Sequence, residues 1–266
     1  MASDSKFDAW SAGQSYDHYM GRWSQMIAAK YLDWLKPSSD SDWLEIGCGT
    51  GALSKEILAN CQPKSLFAIE PSEGFVTHAR EIVSDARARF EVGGAEQIPL
   101  AADQIDVTTS ALVLNFVPDK VAALNEMKRV TRPGGTISFY VWDYPSGGIG
   151  FIDEFWKAAA QVDEEAAELD EGKRFPFCTS DELSKLCKKA GFENPQVEAL
   201  EIDTEFATFD DFLHPFTLGA GPAPGYYVSL DQAHRDRLSN QLRQNVGSDE
   251  PVKLVARAWA VKMINN

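Results

Sequence analysis

Between residues 42 and 141, short apolar runs alternate with amphipathic stretches, the pattern of strand, helix and strand wound into a parallel α/β sheet. The runs Asp42–Ile46, Ser65–Glu70, Arg89–Val92, Asp106–Ser110 and Thr136–Val141 are the predicted strands. Ala52–Asn60, Gly74–Ser84 and Asp119–Val130 are the predicted helices between them. Pro118-Asp119 opens the last of these helices, and Arg132-Pro133-Gly134-Gly135 turns the chain into the next strand.

Two flanks surround this core. Residues 7–36 are rich in aromatic residues and end in a predicted helix, Ser24–Leu35, stopped by Lys36-Pro37. Residues 144–228 read as an insertion, followed by a helix Ser229–Gln244 and a strand Val252–Met263. The organisation expected for the 266 residues is therefore a single domain, 1–266. Within it, 7–36 form an N-terminal lid, 37–143 the cofactor-binding core, 144–228 a helical and loop insertion covering the substrate, and 229–266 the final helix and strand. A chain of this length buries roughly 70–75% of its unfolded surface and needs no disulfide or metal to hold it.

Charge and cysteine usage narrow the partners. Forty acidic residues against 25 basic ones leave a net charge of −15, and 17 acidic and 6 basic residues fall between 151 and 211. A nucleic-acid footprint wants a basic face, so no nucleic-acid partner is expected. The N-terminus carries neither an apolar signal core nor an Arg-rich transit pattern, and no apolar run reaches the about 18 residues of a membrane span. Cys48, Cys61, Cys178 and Cys187 show no Cys-x-x-Cys pair, which reads as free thiols in a reducing cytoplasm. No metal is expected, and nothing in the pattern bears on oligomeric state.

The segment Trp43-Leu44-Glu45-Ile46-Gly47-Cys48-Gly49-Thr50-Gly51-Ala52 runs a strand into glycines and then into a helix. Glycines allow a tight turn and close approach of a ligand, and the helix start offers free N–H groups. Gly47-x-Gly49-x-x-Ala52 also satisfies a dinucleotide pattern, in which a pyrophosphate sits on the helix end. Glu45 separates the two readings: a carboxylate two residues before the first glycine repels pyrophosphate and suits the amino group of S-adenosylmethionine. Glu70, 21 residues after Gly49, ends the next strand as an acid that can accept from both hydroxyls of a ribose, which either ligand carries. A tight turn holding no ligand is the bland alternative.

This stretch resembles motif I of the class I S-adenosylmethionine-dependent methyltransferases, in the small-molecule branch similar to quinone-biosynthesis C-methyltransferases. Further resemblances follow in register: Glu70-Pro71-Ser72, Gly94-Ala95-Glu96-Gln97-Ile98-Pro99, Asp106 through Asn115-Phe116-Val117-Pro118-Asp119, and Arg129-Val130-x-Arg132-Pro133-Gly134-Gly135. They cover about residues 40–142. The resemblance implies a Rossmann-like, mostly parallel seven-stranded sheet with helices on both faces and an antiparallel last strand. It implies S-adenosylmethionine as cofactor and S-adenosylhomocysteine as product.

By the same resemblance, Glu45, Gly47, Gly49 and Gly51 hold the methionine end and Glu70-Pro71 the ribose. Ala95, Glu96 and Gln97 flank the adenine, and Ala111 and Leu112 form the lip beside the methyl donor. In the lid, Arg22 is the expected partner of the cofactor carboxylate, and Tyr16 and Tyr19, three residues apart, share one face of a helical turn. His18 and His214 are candidate bases, each also readable as a plain polar residue. Phe116, Trp142, Phe155 and Phe216 are expected around an aromatic or lipophilic small-molecule acceptor, methylated at O, N or C. Two other readings stay open: a non-methylating S-adenosylmethionine enzyme, and a nicotinamide-dependent oxidoreductase, against which Glu45 and the missing Tyr-x-x-x-Lys pair weigh.

Overall fold

The computed structural model describes residues 20–219, 221–247 and 249–266; Tyr16, His18 and Tyr19 lie outside the described residues. Helix α1 spans Arg22–Leu35, β1 Asp42–Ile46, α2 Ala52–Asn60, β2 Ser65–Glu70, α3 Glu73–Ile82, β3 Ala88–Val92, β4 Ile105–Ala111, α4 Lys120–Val130 and β5 Thr131–Trp142. There follow α5 Gly150–Val162, α6 Glu171–Arg174, α7 Ser180–Lys189, β6 Gln196–Phe206, α8 Phe209–Leu213, α9 Pro222–Ser229, α10 Gln232–Val246 and β7 Val252–Ile264. Short 3-10 turns occupy Leu114–Phe116, Glu164–Leu169 and His214–Leu218.

The seven strands lie in one sheet in the order β3-β2-β1-β4-β5-β7-β6. Pairings β1–β2, β1–β4, β2–β3 and β4–β5 are all parallel. The last strand reverses: Gly134 N–H donates to Asn265 O at 2.6 Å, Asn265 N–H to Gly135 O at 2.9 Å, and Ser138 Oγ–H to Val261 O at 2.6 Å. These partners descend on one strand as they ascend on the other, so β7 runs antiparallel to β5, as expected from the sequence. Several helices start where capping chemistry places them. Ser72 accepts from Phe75 N–H at the head of α3, and Asp119 accepts from Ala122 N–H at the head of α4.

The chain divides into two compact units. The first comprises 24–141, 178–200 and 258–266. Its core is apolar, with Trp43, Ile57, Ala68, Ile69, Val76, Leu124 and Phe139 all buried. Tyr31 of α1 ties in through its hydroxyl, 2.8 Å from Thr109 Oγ1, and packs its ring 4.6 Å from that of Tyr140.

The second unit comprises 142–177, 201–257 and the described residues up to Trp23. Aromatic rings fill it: Phe155 stacks on Phe216 at 4.5 Å, and Phe206 meets both Trp23 at 5.4 Å and Phe212 at 5.2 Å edge-on. Two buried polar pairs lie here, Trp156 Nε1–H with the Glu171 carboxylate and Arg257 with Asp143 at 2.7 Å.

The insertion differs from expectation in two ways. It contains an 11-residue strand, β6, and residues 178–200 belong to the first unit. In β6, Leu200, Ile202, Thr204 and Phe206 face inward while Glu201, Asp203 and Glu205 face solvent, a period of two inside an acid-rich stretch. Segment 178–200 belongs with the core because α7 buries Leu183 and Cys187 there. The predicted Thr136–Val141 strand also starts earlier, at Thr131, because β4 pairs with that residue across a register shift.

Candidate functional site

In an open parallel sheet, ligands settle outside the carboxyl ends of the strands where the winding direction reverses. Here that point lies between β1 and β4, since the chain leaves β1 toward β2 and β3 and returns beyond it to β4 and β5. The glycine turn follows β1, and the segment Leu112–Phe116 follows β4, so the expected core residues converge on this crevice. Among the described residues, no group of three or more His, Cys, Asp or Glu side chains is arranged to hold a metal.

The turn is shaped by backbone bonds. Gly47 and Cys48 N–H both donate to Ile69 O, at 2.7 and 3.2 Å, and Gly51 N–H closes on Cys48 O at 2.8 Å. Gly47, Gly49 and Gly51 take φ of 73°, 51° and 82°, the left-handed region that costs an L-residue roughly 1–2 kcal/mol. Their surroundings differ. A Cβ on Gly47 would lie 2.5 Å from both γ-methyls of Val113, whereas one on Gly49 would meet nothing within 4 Å. Gly47 is therefore pinned against the β4 segment, and Gly49 borders open space.

Gly47→Ala is accordingly expected to destabilise the protein by about 2–4 kcal/mol, adding overpacking to backbone strain. Gly49→Ala costs only the strain, about 1–2 kcal/mol, and its methyl enters the space a ligand needs. Urea unfolding curves of the two variants check this; equal losses would contradict the packing of Val113 over Gly47.

Two carboxylates lie beside the turn. Glu45 pairs in register with Ala68, and Glu70 stands two residues further along β2, so both side chains point to the same face of the sheet. Glu45 is 1% exposed and accepts from the Ser54 hydroxyl of α2 in a short hydrogen bond. Glu70 is 8% exposed and accepts from Gly49 N–H at 3.2 Å and Ser72 N–H at 3.1 Å. Burial pushes the Glu45 carboxyl up to about 8 against the lowering effect of Ser54, and the nearby Glu70 adds to the rise. Burial raises Glu70 as well, opposed by its two backbone donors.

The remaining core residues take recognisable places. Gly94 bridges Gln97 after β3, with Gln97 N–H on Gly94 O at 3.4 Å, so Ala95 and Glu96 form the tip of a tight loop. Glu96 is exposed and already employed, its Oε1 accepting from Asp119 N–H at 2.7 Å. Pro71 is exposed. Ala111 is half-buried and ends β4; Leu112 follows at φ 60°, its N–H held by Tyr140 O at 2.8 Å. A non-glycine residue in that region marks strain that the surrounding bonds must sustain. Phe116 is 42% exposed just beyond.

Other expected residues do not belong to this unit. Arg22 is in the second unit, where its guanidinium covers the rings of Trp23 at 4.0 Å and Phe206 at 4.7 Å. Partial burial lowers its pKa, with Asp211 acting in the other direction. Trp142, Phe155 and Phe216 are fully buried in that unit, and His214 is exposed on it.

Sequence reasoning passed over Ser54 and Val113, and quoted Ser72 within a motif without giving it a role. Ser54 alone left a trace, as a polar residue among Leu53, Ile57 and Leu58 on the inward stripe of α2.

Comparison with known proteins agrees with this geometry. Residues 44–139, the stretch from β1 to β5, match the family described as "Methyltransferase domain". A malonyl-(acyl-carrier protein) O-methyltransferase of Serratia marcescens is 35% identical over 122 residues, covering 46% of this chain. The chain spans only 44% of that enzyme's length. An uncharacterised methyltransferase of Geobacillus sp. (strain WCH70) is 30% identical over 198 residues, 70% of this chain and 87% of the relative. In fold, the chain resembles a Haemonchus contortus phosphoethanolamine N-methyltransferase solved with phosphomonomethylethanolamine and S-adenosylhomocysteine. The TM-score is 0.62 at 16% identity, over 98% of this chain and 58% of that one. The sheet order, the acid-flanked glycine turn at its switch point and the Geobacillus relative, matched over 70% of this chain, together place the chain in the class I S-adenosylmethionine-dependent methyltransferases.

Proposed function

We propose that the protein transfers the methyl group of S-adenosylmethionine to a small aromatic or lipophilic acceptor at O, N or C. The observation that carries this reading is the pair of buried carboxylates beside an open glycine turn. Neither Glu45 nor Glu70 has an ion-pair partner among the described residues, and Gly49, whose N–H donates to Glu70, borders open space. Two buried acids without a cation suit a ligand that brings its own positive charge and a ribose diol. They do not suit a pyrophosphate, which sets the oxidoreductase reading aside.

When bound, the cofactor supplies a methyl group already activated by its sulfonium. The chain's contribution is then alignment and exclusion of water. Glu45 and the turn receive the methionine end, Glu70 with Pro71 the ribose, the Ala95–Gln97 loop the adenine, and Ala111 and Leu112 the reacting end. The lip Ala111-Leu112-Val113-Leu114-Asn115-Phe116-Val117 contains no titratable side chain, so this edge orients an acceptor without exchanging protons with it. A base, where an acceptor needs one, comes from elsewhere, and His18 and His214 remain the candidates.

Phe116, 42% exposed at the end of the lip, supports an apolar acceptor, whereas Trp142, Phe155 and Phe216 are packed inside the second unit. No helix among the described residues is long and apolar enough to cross a membrane, and the four cysteines are buried and form no disulfide. Reduced thiols favour a cytoplasmic location. The test is calorimetric titration with S-adenosylmethionine, S-adenosylhomocysteine and NADH in parallel, followed by product masses on a panel of aromatic acceptors. Binding of the first two and an acceptor heavier by one methyl group are expected. Binding of NADH alone would defeat the reading.

A further inference from the structure

The unsatisfied feature of the site is its charge. Two carboxylates on adjacent strands share one face of the sheet, both more than nine-tenths buried, with no countercharge among the described residues. The groups that face Glu45 can be named element by element: Glu70 from β2, Cys48 from the turn, the Ser54 hydroxyl from α2 and the Tyr31 hydroxyl from α1. Thr109 is its register partner on β4 and carries no charge. None of these is cationic. Ser54 donates one hydrogen bond, which is too little to hold a desolvated carboxylate ionised beside a second acid.

Resting on the cofactor reading above, we propose that Glu45 is protonated in the ligand-free protein and that cofactor binding expels this proton. Binding and deprotonation are thereby one coupled event. The balance is simple: the ligand ammonium enters as a cation, the Glu45 O–H bond breaks, the proton leaves to solvent, and the carboxylate remains as the countercharge. Ser54 sets the coupling, since its hydroxyl bonds the ionised form. The consequence is an affinity that rises with pH and depends on one side chain.

The ammonium group of the ligand titrates near 8 in free solution and must stay protonated to be recognised. Affinity should therefore climb about tenfold per pH unit below 7.5, flatten, and fall again at higher pH as the ligand loses its charge. The rising limb belongs to Glu45 and the falling limb to the ligand.

The experiment is calorimetric titration of the full chain with S-adenosylhomocysteine at pH 6.5 in two buffers of different ionisation enthalpy, repeated from pH 6 to 9. Release of about one proton per ligand at pH 6.5, together with the rising limb, is the expected result. Glu45→Gln should abolish the release and the rising limb while keeping the falling one. Ser54→Ala should carry the rising limb to higher pH. Tight binding with identical heats in both buffers and an affinity flat below pH 7.5 would overturn the proposal, because Glu45 would then be ionised beforehand. No binding in either buffer would instead strike the cofactor reading itself, and the proposal with it.

Discussion

Glu70→Ala is expected to lower affinity for S-adenosylhomocysteine by two or more orders of magnitude while the protein still folds. The carboxylate ends β2 with one oxygen on Gly49 N–H and the other on Ser72 N–H, so its orientation is fixed before any ligand arrives. Its remaining lone pairs are free for the two ribose hydroxyls. Hydrogen bonds to a charged group contribute about 1.5–3 kcal/mol each, and two of them correspond to roughly a hundredfold or more in the dissociation constant. Folding suffers less, because the lost backbone acceptors are offset by removal of a buried charge. Glu70→Gln retains one acceptor oxygen and should fall between wild type and alanine. Calorimetric titration at pH 8 measures all three; an unchanged affinity in the alanine variant would remove Glu70 from the ribose site.

The second large effect is on stability. Glu45 is an acid whose carboxyl rises from 4.5 in the unfolded chain to about 8 in the folded one. The folded state therefore binds more protons across that interval, and stability falls as pH rises through it. The contribution is fully present below 4.5 and gone above 8, and over the whole interval it amounts to roughly 4–5 kcal/mol. Glu171, buried against Trp156 and raised to about 7, acts in the same direction but is spent sooner. From pH 7 to 8 Glu45 dominates, with an expected loss of about 1 kcal/mol beside a few tenths from Glu171. Urea unfolding of the ligand-free protein should show that loss in wild type and only the small Glu171 remainder in Glu45→Gln. Equal stability of wild type at pH 7 and 8 would mean that the carboxyl is ionised already at 7.

Much of this was legible beforehand because it is written locally. The strands Asp42–Ile46 and Ser65–Glu70 and the helix Ala52–Asn60 have the same bounds in the structure as in the periodicity. Glycines before a helix can be recognised within ten residues, and so can an acid at the end of each of two strands. Even the antiparallel last strand followed from family resemblance. Arg22 shows the limit: the sequence offers it as a partner for the cofactor carboxylate, and only the structure shows that its guanidinium rests on two aromatic rings. Side-chain type names a chemistry, while the neighbours choose among its uses.

What the sequence alone determined is the alternation, the turn and the identity of its two acids, all set by residues close in the chain. Only the tertiary structure decided that Val113 closes over Gly47, that Ser54 is the partner of Glu45, and that residues 178–200 return to the first unit. It also decided that, among the described residues, no cation stands beside the acid pair. Desolvation and countercharge depend on what the whole chain brings around a group, and no periodicity encodes that. The protonation of Glu45, on which both the stability curve and cofactor recognition turn, is a property of the folded molecule.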